Sequence, residues 1–379
     1  MRIAFDARML TYTGIGSYVR GVLQAGAKQD SGDEWIILGD PVQIRACTGN
    51  PAHFRVQPLR PRVYSWPDQI LVPWVLRQVQ ADVFHTPHFV VPWAYRGPLV
   101  VTLHDLIYSL FPEELPSRGK KWLYRWLIQT AVQRATQIMV DSACTQQDVE
   151  RLLHVPTARI TVVPLGIEPR FKPVTDRVLQ EAVCRRYDIE LPFILYVGLQ
   201  KPHKNVTGLV RIFARAQRRL PQPYQLVLVG PPGLETRAVM QEALCQGIAQ
   251  AVRLIGYVDP IRAPDDLPTL YSAATAFVTA SLYEGFGLPP VEAMACGTPV
   301  VASNRASLPE VLGDAALLVD PENEEEFAEA LVRVLTDPDL QAYLSHKGRK
   351  RAAGYTWERT MEIVRRVYRQ AAGKEIRSS

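Results

Sequence analysis

The chain has no disulfide framework. Its five cysteines, Cys47, Cys144, Cys184, Cys245 and Cys296, are odd in number, widely spaced and free of any C-x-x-C pair. That excludes a stapled secreted scaffold and a cysteine-built zinc site, and it implies a reducing compartment. Long apolar runs are also missing, and none approaches the roughly 18 residues a membrane helix needs. Met1-Arg2 runs straight into the strand-like Ile3-Ala4-Phe5, so no leader peptide and a cytoplasmic location are expected. No dense Lys/Arg block interleaved with aromatics occurs, which argues against nucleic acid as a partner. The charge imbalance is small, 43 basic against 38 acidic residues for a net +5. It suits an anionic small molecule, an anionic membrane surface or a plain solvated surface. Internal repeats and low-complexity linkers are absent.

What is present is a soluble-enzyme composition, 47% hydrophobic and 21% charged, with 30 prolines marking many short loops. A chain of 379 residues exceeds the roughly 250–300 residues at which a single core stops growing, so two domains are expected. Short apolar runs at Ile3–Phe5, Trp35–Leu38, Val83–His85, Leu99–Leu103, Gln137–Val140 and Ile160–Val163 alternate with amphipathic stretches. A second series follows at Phe193–Gly198, Leu226–Val229, Val252–Ile255, Ala276–Thr279, Val300–Ala302 and Ala316–Val319. Such alternation predicts an α/β fold with two doubly wound, Rossmann-like domains of parallel strands. Pro164, Pro169 and Pro173 break the pattern, so the first domain is placed at 1–175 and the second at 186–353. Residues 354–379 are read as a C-terminal helix with Trp357, Met361, Val364, Val367 and Tyr368 inward and Arg359, Arg365, Arg366 and Arg369 outward.

Ligands of open parallel sheets bind beyond the carboxyl ends of strands. The densest cluster at such a position is Ala280-Ser281-Leu282-Tyr283-Glu284-Gly285-Phe286-Gly287-Leu288-Pro289-Pro290-Val291-Glu292, followed by Ala293-Met294-Ala295-Cys296-Gly297. The glycines let backbone approach a ligand. Pro290 suits the first position of a helix and Gly297 its stop, which predicts a helix over about 290–296. The N-terminus of that helix is a ready phosphate site. Glu292 falls in its expected first turn, where a carboxylate either answers the helix dipole or binds ligand hydroxyls. Glu284 lies in the loop before it.

This stretch resembles the E-x7-E motif of family 4 glycosyltransferases. The likeness continues in Ser303-Asn304-Arg305-Ala306-Ser307-Leu308-Pro309-Glu310-Val311, in Leu267-Pro268-Thr269-Leu270-Tyr271-Ser272-Ala273-Ala274, and over essentially the whole chain. It is nearest to bacterial mannosyltransferase-like members that build surface polysaccharides. The resemblance implies the GT-B architecture, two Rossmann-like domains facing across a cleft, with the C-terminal helix returning toward the first. It implies that Glu292 holds the nucleotide ribose and Glu284 the donor sugar, while Gly285, Phe286, Gly287 and Leu288 meet the diphosphate.

In Gly198-Leu199-Gln200-Lys201-Pro202-His203-Lys204-Asn205 the resemblance assigns Lys204 to the donor diphosphate, with Asn205 positioning. The departing nucleoside diphosphate gains negative charge, and a cation answers it. Many relatives carry an arginine where this chain has Leu199. In the first half, Gly14-Ile15-Gly16 opens a helix, with Val19 where a third glycine of a dinucleotide fingerprint would stand. By resemblance Gly14 and Gly16 approach donor phosphate and acceptor; otherwise they are a helix-start turn. His104, in Val101-Thr102-Leu103-His104-Asp105, resembles the histidine that contacts the donor sugar.

The single D-x-D, Asp337-Pro338-Asp339, reads as a turn, so no metal and no cofactor is expected. The stretch from Arg118 to Gln137 places Lys120, Lys121 and Arg125 near Trp122, Leu123, Trp126 and Leu127. It is either core packing or a peripheral membrane contact at the inner face of the membrane. The implied reaction is retaining transfer of a hexose, mannose from GDP-mannose favoured over glucose from UDP-glucose, to a glycan or lipid-linked acceptor. A sugar-nucleotide epimerase on the same fold and a sugar-nucleotide-binding partner of low activity are the rival readings.

Overall fold

Aliphatic and β-branched runs build two all-parallel sheets in the computed structural model, which describes residues 1–12, 14–29, 32–49, 51–59, 63, 65–258 and 263–374. The first sheet contains β1 (Arg2–Asp6), β2 (Glu34–Gly39), β3 (Phe54–Pro58), β4 (Val83–Thr86), β5 (Leu99–Leu103), β6 (Gln137–Val140) and β7 (Ile160–Val162). Its strand order is β3-β2-β1-β4-β5-β6-β7. The second contains β8 (Phe193–Val197), β9 (Gln225–Val229), β10 (Val252–Ile255), β11 (Ala276–Thr279), β12 (Val300–Ser303) and β13 (Leu317–Val319), in the order β10-β9-β8-β11-β12-β13. Both orders reverse beside their first strand, between β1 and β4 and between β8 and β11. Those switch points are where ligands of such sheets bind.

The chain divides into two units, Met1–Gly166 with the segment from Thr356 onward, and Ile167–Tyr355. The first unit closes at Gly166, ahead of residue 175, because the segment after it packs on the second sheet's helices. Val174 N donates to Ser272 Oγ at 3.0 Å, and Arg186 pairs with Asp266 at 2.7 Å. These contacts also bring the residues before 186 into the second unit. The last segment begins at Thr356 rather than 354, since Tyr355 OH donates to the Val311 carbonyl of unit 2. Residues 375–379 lie outside the described residues.

Unit 1 is completed by the helix Trp357–Ala371. Trp357 fits because Gly21 and Gly166 leave space: a Cβ on Gly21 would fall inside its indole, and one on Gly166 would strike its backbone. Thr360 Oγ1 donates to the Pro164 carbonyl at 2.7 Å, and Tyr368 OH meets His85 Nδ1 at 2.7 Å. Trp357, Met361, Val364, Val367 and Tyr368 are all buried, and each such side chain contributes about 1.5–3 kcal/mol.

One strand escapes the sequence pattern. Phe54–Pro58 is an edge strand whose Arg55 and Pro58 are exposed, so its apolar content is low. An edge needs only one covered face, and its sequence accordingly reads as loop.

Candidate active site

In unit 2 both strands at the switch point lead into site loops. After β8 the chain runs through Gly198 and a short 3₁₀ turn, Pro202–Lys204, to Asn205, whose φ of 50° starts the helix Val206–Gln217. After β11 it runs through Ser281 and Glu284 to the helix Leu288–Ala295. The two loops are tied together, since Leu282 N donates to the His203 carbonyl at 2.8 Å.

That bond sets neighbouring residues side by side. Lys204 Nζ lies 2.6 Å from both carboxylate oxygens of Glu284, with the two side chains 19% and 12% exposed. Ser281 Oγ donates to Glu284 Oε1 at 2.9 Å, and Ser307 Oγ donates to the Glu284 carbonyl at 2.8 Å. A forked ion pair held from three sides has a fixed orientation while still reaching solvent.

The helix beside it begins earlier than expected. Leu288 is its first residue, and Pro289 and Pro290 occupy the following positions. The reason is Gly287, whose φ of 91° turns the chain sharply ahead of Leu288. A side chain there would suffer both the left-handed backbone and a 2.7 Å approach to Leu308 Cδ2. The helix ends at Ala295, with Gly297 at φ 84° just beyond. Early prolines cost nothing, because the first N–H groups of a helix have no partner within it. Phe286, Gly287 and Leu288 are therefore the donors left at this end, and among the described residues their N–H groups reach no backbone carbonyl. Three successive free N–H groups at the positive end of a helix form an anion cradle.

The earlier start moves Glu292 out of the first turn, which contains no acidic residue. The dipole account of Glu292 fails with it, because that attraction fades beyond the first turn. Glu292 Oε2 instead accepts from Tyr271 OH at 2.9 Å, while Thr298 Oγ1 donates to the Tyr271 carbonyl at 2.6 Å. Burial first, and then Glu292, push the Tyr271 phenol well above its usual range. The same two causes, burial leading, raise the Cys296 thiol to about 12, so it is no nucleophile. Asn205 folds its side chain over Gly208 of its own helix. Leu199 adds no charge and accepts from Tyr196 OH through its carbonyl.

In unit 1, Gly14 is exposed ahead of the helix Ile15–Lys28, and Gly16 is buried in its first turn beside the Met9 and Leu10 carbonyls. One turn on, the Tyr18 ring meets the His104 ring edge-on at 4.9 Å. His104 follows β5, and its Nδ1 lies 2.8 Å from Asp141 Oδ2, at the end of β6. Burial opposes the charged imidazole, but Asp141 outweighs it and the pKa is raised. Its Nε2 is buried and without a hydrogen-bond partner, although the Pro87 carbonyl lies close enough to favour the charged ring. Beneath this pair, Thr102 Oγ1 meets His85 Nε2 at 2.8 Å and Tyr18 OH at 3.2 Å. Burial, helped by His104, lowers His85 to about 3 and keeps it neutral.

Asp141, Tyr271, Ser281 and Ser307 were not singled out from sequence. Asp141 had a signal, being the carboxylate directly after a recognised strand. Tyr271, Ser281 and Ser307 lie within the stretches that carry the family likeness, but their pairing is not displayed there: Tyr271 and Ser307 reach partners 21 and 23 residues away, and Ser281 is one small hydroxyl in a loop. Asp337 caps the helix Pro338–Ala352 by accepting from Leu340 N at 2.9 Å, which is a turn role. Among the described residues no group of three or more His, Cys, Asp or Glu side chains is placed to hold a metal ion. A polar hollow lined by Met1, Arg2, Glu34, Gln80, Asp82 and Lys374 lies at the amino ends of unit 1 strands, opposite the ends that carry ligand loops.

Comparison with known proteins agrees with this layout. Residues 14–171 match the Glycosyltransferase Family 4 model, and residues 187–351 match Glycosyl transferases group 1. The chain is 32% identical over 310 residues to O-antigen chain mannosyltransferase B of Escherichia coli, covering 81% of this chain and 79% of that one. It is 32% identical over 362 residues to D-inositol 3-phosphate glycosyltransferase of Corynebacterium urealyticum, covering 89% and 82%. Its fold is similar to that of Anabaena HepE in complex with UDP-glucose, with a TM-score of 0.76 over 97% of this chain and 98% of that one at 18% identity. Two Rossmann-like units of this kind constitute the GT-B fold. With a family model on each unit and a relative matched over 79% of its length, the chain belongs to glycosyltransferase family 4, among its bacterial mannosyltransferase-like members.

Proposed function

We propose that this enzyme transfers mannose from GDP-mannose, with retention of anomeric configuration, to a glycan or lipid-linked acceptor in surface polysaccharide biosynthesis, on the cytoplasmic side of the membrane. The observation that carries the reading is the Lys204–Glu284 pair next to the free N–H groups of Phe286, Gly287 and Leu288. An ammonium and an amide cradle together suit a diphosphate, and a fixed carboxylate suits sugar hydroxyls. The likeness to a named mannosyltransferase favours mannose.

On this reading Lys204 and the helix N-terminus stabilise charge on the departing nucleoside diphosphate without a metal. Glu284 and Asn205 position the sugar, and Glu292, oriented by Tyr271, accepts from the ribose hydroxyls. His104 donates to a sugar hydroxyl from its Nε2, with Asp141 fixing the ring. Gly14 and Gly16 let the first loop of unit 1 approach phosphate and acceptor. The acceptor hydroxyl attacks the anomeric carbon from the side the leaving group departs, and a donor phosphate oxygen takes its proton.

The test is a thermal-shift panel of GDP-mannose, UDP-glucose, UDP-N-acetylglucosamine and NAD, each with and without EDTA. A ligand at a hundredfold over its Kd adds about 2.7 kcal/mol of stability. A shift with GDP-mannose alone, indifferent to EDTA and absent in Glu292→Ala, is expected. A shift with another nucleotide, or one abolished by EDTA, reassigns the donor or the metal requirement. Donor binding without transfer to any acceptor would favour a binding partner, for which the neutral Leu199 speaks. Isomerisation of the free donor would reveal an epimerase.

A further inference from the structure

Five of the seven tryptophans fall between residues 66 and 126. Four are on the surface, at 77% exposure for Trp66, 57% for Trp74, 68% for Trp122 and 37% for Trp126. The fifth, Trp93, links two of them, with its ring edge-on to Trp66 at 5.7 Å and to Trp126 at 4.9 Å. Its backbone N–H also donates to Gln69, at the start of the helix Asp68–Gln78. That helix adds Ile70 at 73% exposure beside Trp74, and the helix Arg118–Arg134 adds Leu123 at 45% beside Trp122. An apolar surface this concentrated is unusual on a protein that meets only water.

The exposed charges on its two helices have one sign. The helix Arg118–Arg134 contains Arg118, Lys120, Lys121 and Arg125 near its exposed tryptophans and has no acidic residue. The one acid of the helix Asp68–Gln78 is Asp68, which is buried and paired with Arg8. Leu127, on the inner side of the longer helix, packs with Met9 and Val90 from the loops that follow β1 and β4. The patch is thus fixed to the ligand-bearing end of the unit 1 sheet.

We propose that this face docks unit 1 on an anionic lipid bilayer, with Trp66, Ile70, Trp74, Trp122 and Trp126 at the headgroup boundary and Arg118, Lys120, Lys121 and Arg125 on the lipid phosphates. Tryptophan is enriched at that boundary because its ring is apolar and its N–H polar. Clustered Lys and Arg beside an apolar helix face give the electrostatic half of such binding. Docking brings the loops after β1 and β4 to the membrane surface, where a lipid-linked acceptor would be met. Only that last clause rests on the function proposed above; the docking does not.

The test is cosedimentation of the full chain with vesicles of phosphatidylcholine alone or mixed with phosphatidylglycerol, together with tryptophan emission. Retention on the mixed vesicles, weakened by salt and accompanied by a blue shift, is expected. Lys120→Glu with Lys121→Glu should weaken binding at least thirtyfold, on the scale of roughly 1 kcal/mol per basic residue at an anionic surface. Trp74→Ser with Trp122→Ser should remove most of the blue shift. Both pairs are exposed, so circular dichroism and melting should match the parent. Failure of the parent chain to bind anionic vesicles, equal binding to neutral ones, or variants that bind undiminished would overturn the proposal. So would a dimer in sedimentation velocity that Trp74→Ser with Trp122→Ser splits, which would make the face a contact between copies. None of these readouts needs a donor or acceptor, so they stand apart from the panel that tests catalysis.

Discussion

The two units use one strand plan to opposite ends. In unit 1 the polar groups at the strand ends are buried and spend themselves on each other: His85 on Thr102 and Tyr368, His104 on Asp141. In unit 2 the corresponding position leaves three backbone N–H groups unspent beside an ion pair that still reaches solvent. A Rossmann sheet therefore dictates where a ligand meets it, but not whether side chains or backbone do the meeting. Backbone suits a diphosphate, whose charge is the same in every sugar nucleotide. Side chains suit whatever must be told apart.

The sharpest test of that contrast is Lys204→Ala. Loss of the cation should lower transfer by roughly 10²–10³, and leaves Glu284 half-buried without its partner. Adding Glu284→Gln should restore melting but not turnover, as chemical denaturation and a steady-state assay on the double variant would reveal. If activity returned as well, the pair would be structural.

Unit 1 should instead reveal itself through pH. His85 is held at about 3 in the fold, against an ordinary value near ~6.5. Its contribution is present above the ordinary value and is lost as pH falls toward 3, a swing on the order of a few kcal/mol. His104 is raised, so its contribution has the other sign, full below the ordinary value and lost as pH rises through the folded one. Denaturation midpoints across pH should lose their acid limb in His85→Gln and their alkaline limb in His104→Asn. Coincident profiles in the two variants would remove the distinction.

Smaller effects are expected in the cradle. Gly287→Ala forces a side chain into a left-handed backbone against Leu308 and should cost about 1–3 kcal/mol, with donor affinity falling in parallel by calorimetry. Tyr271→Phe removes one hydrogen bond from Glu292, about 0.5–1.5 kcal/mol, so donor affinity should fall by about tenfold or less while the fold is unchanged.

Much of this was legible in the chain. Leu99–Leu103, Gln137–Val140, Val252–Ile255 and Ala276–Thr279 are strands over those same residues, because fully buried parallel strands are continuous apolar runs. The edge strand Phe54–Pro58 was not, since half of it faces water. The helix starts at Leu288, two residues ahead of the Pro290 start that the sequence predicts, because Gly287 turns the chain with a φ of 91° that sequence does not display. The loop after β11 stands out as a glycine-rich strand end, and the loop after β8 through the resemblance that assigns Lys204. The pairing of Lys204 with Glu284, 80 residues apart, follows only from the adjacency of those strands.

The helix Trp357–Ala371 has a consequence for how the protein is made. Domains are ordinarily completed in the order they leave the ribosome. Here the indole that fills the space beside Gly21, and the phenol that holds His85, are synthesised after all of Ile167–Tyr355. Unit 1 therefore stays incomplete until all of unit 2 has been synthesised, although most of unit 1 is translated first.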